Sequence, residues 1–223
     1  VPYGNLVSDS GQGVYEQFFF YGDEDGRMSY NSFLTNFRDK TKWTIEKSEF
    51  WTKITSISGK PVVVYANMPL QEPEDEVAVA RLCEHLAEKN IQPTVLVHRG
   101  HSYHLPLTLD RISKGNRIVI LGSCGGYHNL STILNKAPNA NIISSKQTGA
   151  MSINEPIIKA INDQISAGQD INWITTWQTL GGNFSTSNKA IKEMFDDYVP
   201  PHKNLGAIFI KAYKTAMDTE QIL

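Results

Sequence analysis

The sequence predicts an α/β protein, a mostly parallel sheet flanked by helices on both faces. Three observations predict it. The strongest hydrophobic segments are short and continuous rather than alternating, as in strands buried on both faces. Segments with helical periodicity lie between them. The composition, 40% hydrophobic and 20% charged over 223 residues, is that of a globular chain long enough to bury a core.

Residues 1–15 are rich in Gly, Ser and Asp and read as an irregular lead-in to one domain spanning 16–223. The first strand is Gln17-Phe18-Phe19-Phe20-Tyr21. It stops at Gly22-Asp23-Glu24-Asp25-Gly26, whose plain reading is a solvated acidic turn. A helix is expected over 29–37. Further strands follow at 61–66, 94–97 and 117–121, with a weaker one at 141–145. The clearest helix runs over 72–89. Pro73 suits its first turn, and Glu72, Glu74, Asp75 and Glu76 complement the positive end of its dipole. Its residues Val77, Val79, Ala80, Leu82, Cys83, Leu86 and Ala87 leave one apolar face. Helices are also expected over 129–135, 154–167 and 188–195. The stretch 169–204 carries Trp173, Trp177, Gly181-Gly182 and Pro200-Pro201 and fits no element by pattern alone. The four Trp residues, with no basic residues interleaved, read as packing residues rather than a base-stacking surface.

Charge and cysteine content exclude several classes. The net charge is -2, from 21 Lys+Arg and 23 Asp+Glu, so no basic excess is present to neutralise phosphates. No apolar run is long enough to span a bilayer. Two cysteines are too few for a disulfide scaffold. The start, Val1-Pro2-Tyr3-Gly4, lacks an initiator Met and any signal-peptide pattern, which reads as a trimmed or processed chain. A removed signal leaves no trace, so the compartment is not readable, and neither is the oligomeric state.

In an open α/β sheet, ligands bind beyond the carboxyl ends of the strands. Two strand ends carry chemistry there. One leads into His98-Arg99-Gly100-His101-Ser102-Tyr103-His104, and the next into Gly122-Ser123-Cys124-Gly125-Gly126-Tyr127. A thiol is mostly protonated at neutral pH, and the thiolate is the nucleophile. An imidazole in reach can take that proton and return it to a leaving group. His101 is therefore the candidate base and Cys124 the candidate nucleophile. Gly125 and Gly126 leave main-chain N–H groups open beside the sulfur for an oxyanion.

The pairing of Gly100-His101-Ser102 after one hydrophobic strand with Ser123-Cys124-Gly125 after the next resembles the caspase-like cysteine peptidases. That group includes caspases, metacaspases, separase, gingipains, clostripain and legumain. The His and Cys are separated by 23 residues (124 minus 101). The resemblance implies a caspase-like fold and a peptide or protein substrate cleaved through a thioester acyl-enzyme, with no cofactor. It also implies that the segment after the Cys strand, here Ser144, Ser145 and Gln147, lines the substrate pocket. Ser102 stands where the group often has Gly, and residues 144–150 hold no acidic side chain for a basic substrate. Asp23 and Asp25 lie on the active edge, where they could receive a Lys or Arg of a substrate or bind Ca²⁺.

Other readings compete. His98, His101 and His104 could together bind a metal, though no carboxylate set or thiol pair accompanies them in sequence. His98 could instead be packed or orient the loop, and His104 could be a surface residue. Gly122-Ser123-Cys124-Gly125-Gly126 also fits the nucleophile elbow of α/β-hydrolases. That reading needs a His after the nucleophile, His128 or His202, with Asp170, Asp196 or Asp197 as orienter. The same fold could also serve as an inactive binding module. A flavodoxin-like nucleotide binder is disfavoured by the lack of a glycine fingerprint or P-loop after the first strand.

Overall fold

The computed structural model describes residues 1–9 and 11–220. In chain order its elements are β1 (Val14–Phe20), α1 (Glu24–Thr35), β2 (Trp43–Lys47), β3 (Trp51–Ser56), β4 (Val62–Asn67), α2 (Glu74–Glu88), β5 (Val95–Arg99), α3 (Leu105–Leu109), β6 (Ile118–Leu121), α4 (Leu130–Lys136), β7 (Asn141–Ser145), α5 (Met151–Ser166), α6 (Trp173–Ser185), α7 (Lys189–Asp196), β8 (Tyr198–Val199) and α8 (Leu205–Glu220). The strands form one sheet in the order β2-β3-β4-β1-β5-β6-β7-β8. β4, β1, β5, β6 and β7 pair in parallel. β2 and β3 add an antiparallel hairpin at one edge, and β8 pairs antiparallel to β7 at the other. The expected α/β class, mostly parallel with helices on both faces, is the class observed.

The continuous apolar runs follow from two buried faces. Every residue of β1 is buried. Phe18 and Phe20 join Val97, Ile120, Phe33 of α1, Ile157 of α5 and Trp177 of α6 in one layer. Phe19 points the opposite way, to Leu96, Val119, Val79 of α2, Ile133 of α4 and Ala207 of α8. The three Phe side chains are fully buried, each worth roughly 2–3 kcal/mol of transfer free energy.

Several elements differ from expectation for local reasons. The acidic run after β1 is a helix start rather than a solvated turn. Asp23 caps α1, its Oδ1 accepting from the Gly26 N–H at 2.7 Å. The β2–β3 hairpin was hidden because β2 lies at the edge, almost wholly exposed, and alternates Trp43 and Ile45 with polar residues instead of forming a continuous apolar run. The stretch 169–204 folds as α6, α7 and β8, of which α7 is the helix expected over 188–195. The first residues are tied to the body: the Val1 ammonium donates to the Ile171 carbonyl at 2.6 Å, and Leu6 is fully buried. β1 itself begins at Val14, within that stretch. Both cysteines are free. Cys83 accepts from Gln17 Nε2 at 3.4 Å, and burial pushes its thiol up. Among the described residues, no helix is long and apolar enough to cross a membrane.

Candidate active site

Numbered in chain order, the five parallel strands lie as second, first, third, fourth and fifth. The order reverses between β1 and β5, the switch point where such sheets open a crevice. β5 and β6 are paired neighbours, with His98 opposite Leu121. Each chain then leaves the sheet, and three residues further on stand His101 and Cys124. Both line one cavity of about 310 Å³, together with Asp25 and Ser29 of α1, Arg99, Ser123, Thr148 and Asn154.

The three histidines have three environments. His98 is fully buried; its Nδ1 lies 2.7 Å from Thr108 Oγ1 and its Nε2 lies 3.3 Å from the His101 carbonyl. Desolvation pushes it down to about 3, so it stays neutral and holds the main chain at His101. His101 is half-exposed, and its Nε2 lies 3.1 Å from Asp25 Oδ2. His104 is not the surface residue that sequence allowed. It is buried, stacked on Tyr21 at 4.1 Å, with Nε2 3.1 Å from Asp23 Oδ2 and 3.5 Å from Glu72 Oε1. The three therefore do not share one ligand position. Glu72, Asp75 and His104 do bring ligand atoms within 4.8 Å of one another. Asp75 already accepts from the N–H groups of Gly22 and Glu76, both at 2.8 Å.

Local backbone chemistry presents the thiol. Cys124 is exposed. Gly125 follows at φ 63°, a conformation that glycine adopts without Cβ strain. Its N–H donates to the Gln147 carbonyl at 2.7 Å, so this N–H is engaged rather than open. Gly122 is squeezed between the His98 carbonyl and the Arg99 and Asn154 side chains; a Cβ there would meet them at 2.9–3.0 Å. Asn154 Nδ2 donates to the Gly122 carbonyl at 3.0 Å and Asn154 Oδ1 accepts from the Tyr198 hydroxyl at 2.9 Å. Burial pushes Tyr198 up to about 12, which keeps it a donor. α5 and β8 thereby hold the turn before Cys124.

Of the residues expected to meet substrate, Asp25 lines the cavity, and it does so paired to His101. Asp23 is spent on the α1 cap and His104. Ser144 and Ser145 are fully buried within β7, away from the cavity wall. Gln147 contributes its carbonyl to Gly125, and the next residues, Thr148 and Gly149, reach the cavity instead. Sequence reasoning missed Arg99, fully buried, whose Nη2 lies 2.9 Å from Glu155 Oε1 and 3.1 Å from Ser29 Oγ. The available signal was an Arg closing an apolar strand run. The alternative base His202 lines a different cavity, with Trp177 and Lys203. His128 sits beside Gly125 but outside the cavity wall.

No protein-family model matches the chain, and no curated protein matches it. Among solved structures, it is similar to the X-ray structure of an inactive zymogen C11 protease from Parabacteroides distasonis, at 9% identity and a TM-score of 0.46. The match covers 78% of this chain, which spans 59% of that one.

Proposed function

We propose that this chain is a cysteine peptidase of the caspase-like kind, with Cys124 as nucleophile and His101 as general base. One observation carries the reading: the two side chains, from the ends of adjacent parallel strands, line the same cavity at the edge where the sheet order reverses. With Nε2 of His101 facing Asp25, Nδ1 is the nitrogen left for the thiol. The Cys124 proton passes to His101, and the sulfur attacks the peptide carbonyl carbon. The Cys124 N–H, at the cavity wall, is the oxyanion donor in this reading, since Gly125 is engaged by Gln147 and Gly126 is buried outside that wall. Collapse of the adduct breaks the C–N bond, His101 protonates the departing amine, and a thioester remains. Water, deprotonated by His101, hydrolyses it and restores the thiol.

The test is mass spectrometry after brief iodoacetamide treatment near neutral pH. Cys124 should alkylate much faster than Cys83, whose thiol is partly buried and pushed up. Exposure alone would produce part of that difference, so the deciding comparison is His101→Ala. Loss of the advantage in that variant supports the dyad. A Cys124 rate indifferent to His101 rejects it and leaves an inactive binding module.

A further inference from the structure

The outer face of α8 is inside out for a solvated helix. Leu205 is 75% exposed, Phe209 71% and Tyr213 59%, with Ile208 and Met217 also exposed. These residues recur at spacings of three and four, so they form one stripe along the helix. Among the exposed positions from 205 to 217, only Thr215 is polar and none is charged. The two lysines of that span turn the other way. Lys211 Nζ donates to the Ala140 carbonyl at 2.7 Å, and Lys214 Nζ to the Leu134 carbonyl at 3.1 Å and Asn135 Oδ1 at 2.8 Å. A helix facing water usually places its charges outward. Here they secure the helix to the body and the apolar side is left uncovered.

We infer that α8 is the core of a two-fold dimer interface between two copies of this chain. Area decides for a second copy. A stable complex buries roughly 800 Å² per partner, about 57% of it non-polar. The five side chains expose together on the order of 500 Å² of largely apolar surface, the amount such an interface requires. A two-fold contact must also be self-complementary. The stripe meets that condition when the helices run antiparallel about an axis level with Lys211. Leu205 then faces the partner's Met217, and Phe209 faces the partner's Tyr213. The exposed small residues Ala212 and Ala216 let the two backbones approach. This inference is independent of the peptidase reading, since none of these residues lines the Cys124 cavity.

Sedimentation equilibrium of the full chain across the micromolar range tests it. The expected mass is twice that of one chain. Phe209→Glu should weaken the dimer on the order of 30-fold or more, as for an aromatic at an interface centre. Its circular dichroism should stay unchanged, because Phe209 packs little against its own chain. Ala212→Cys, in a Cys124→Ser background, should form an intermolecular disulfide near the axis. A monomer at every concentration overturns the inference and leaves the stripe to another occupant, such as a different protein or a lipid surface. A dimer that survives Phe209→Glu overturns it equally, since the contact then lies elsewhere.

Discussion

His101 Nε2 lies 3.1 Å from Asp25 Oδ2, which links the candidate base to the first turn of α1. Both side chains are substantially exposed, and exposed pairs contribute about 0–1 kcal/mol. Asp25→Asn is therefore expected to slow Cys124 alkylation only about 2–5-fold. His101→Ala should slow it on the order of 100-fold, the scale of general-base assistance. Raised salt should shrink the Asp25 effect and leave the His101 effect in place. Equal losses in the two variants would show that Asp25 is more than a positioning residue.

Glu16 gives a pH prediction. It sits fully buried in the centre of β1, with the Asn162 amide 3.0–3.2 Å from its oxygens. Desolvation pushes it up to about 8 from an ordinary value of 4.5. In the unfolded chain the group ionises first, so the unfolded state holds fewer protons between those two values. Stability attributable to Glu16 should therefore fall as pH rises from 4.5 towards 8 and level off above. Glu16→Gln removes the titration. Denaturant melts at pH 5 and pH 8 should show the variant gaining on the wild type at the higher pH, on the order of 2–4 kcal/mol. A constant difference across that window would refute the assignment.

Arg99 is fully buried beneath the cavity and its partner Glu155 nearly so, with 13% of its side chain exposed. Removing one partner of such a pair leaves an uncompensated charge and costs about 3–5 kcal/mol. Arg99→Met alone should therefore destabilise the fold by that order, read by urea melts. Arg99→Met with Glu155→Leu should recover most of it. Cys124 alkylation in the double variant then reports whether Arg99 also shapes the site. Failure of the second substitution to rescue would mean that the contact to Ser29 or the packing of the Arg stem carries the stability.

Gly125 holds a left-handed conformation directly after the candidate nucleophile. Gly125→Ala should cost about 1–2 kcal/mol. It should also loosen the N–H bond to Gln147 and so blur the position of Cys124. The expected signature is a modest loss of thermal stability with a larger loss of alkylation rate. An unchanged rate would mean that the turn does not position the thiol.

The parts of the site written within single segments were legible. His101 and Cys124 follow apolar runs, and runs of that kind fill the interior of a parallel sheet. Residues acting across segments were not. Asp23 and Asp25 read as a solvated turn because the helix behind them is expected only from residue 29, so its first turn and cap are not recognised. That helix has a weak apolar pattern, interrupted by Gly26. Asn154 and Tyr198, which hold the turn before Cys124, are 44 residues apart and carry no local signal. The β2–β3 hairpin was missed because its strands alternate: Thr52 and Ile54 are buried between partly exposed neighbours, so no continuous apolar run marks it.

By itself the sequence determined the class of fold and the two strand ends that carry the candidate His and Cys. Burial on both faces demands unbroken apolar strands, and helices between them force parallel pairing. Only the tertiary structure decided which of the three histidines shares a cavity with Cys124. His98, His101 and His104 are equally spaced along the chain, and their roles differ only in what surrounds them. One is desolvated in the core, one paired with Asp23 and Glu72, and one left at the cavity. Solvation and charge partners are properties of packed neighbours distant in sequence, so no local pattern encodes them.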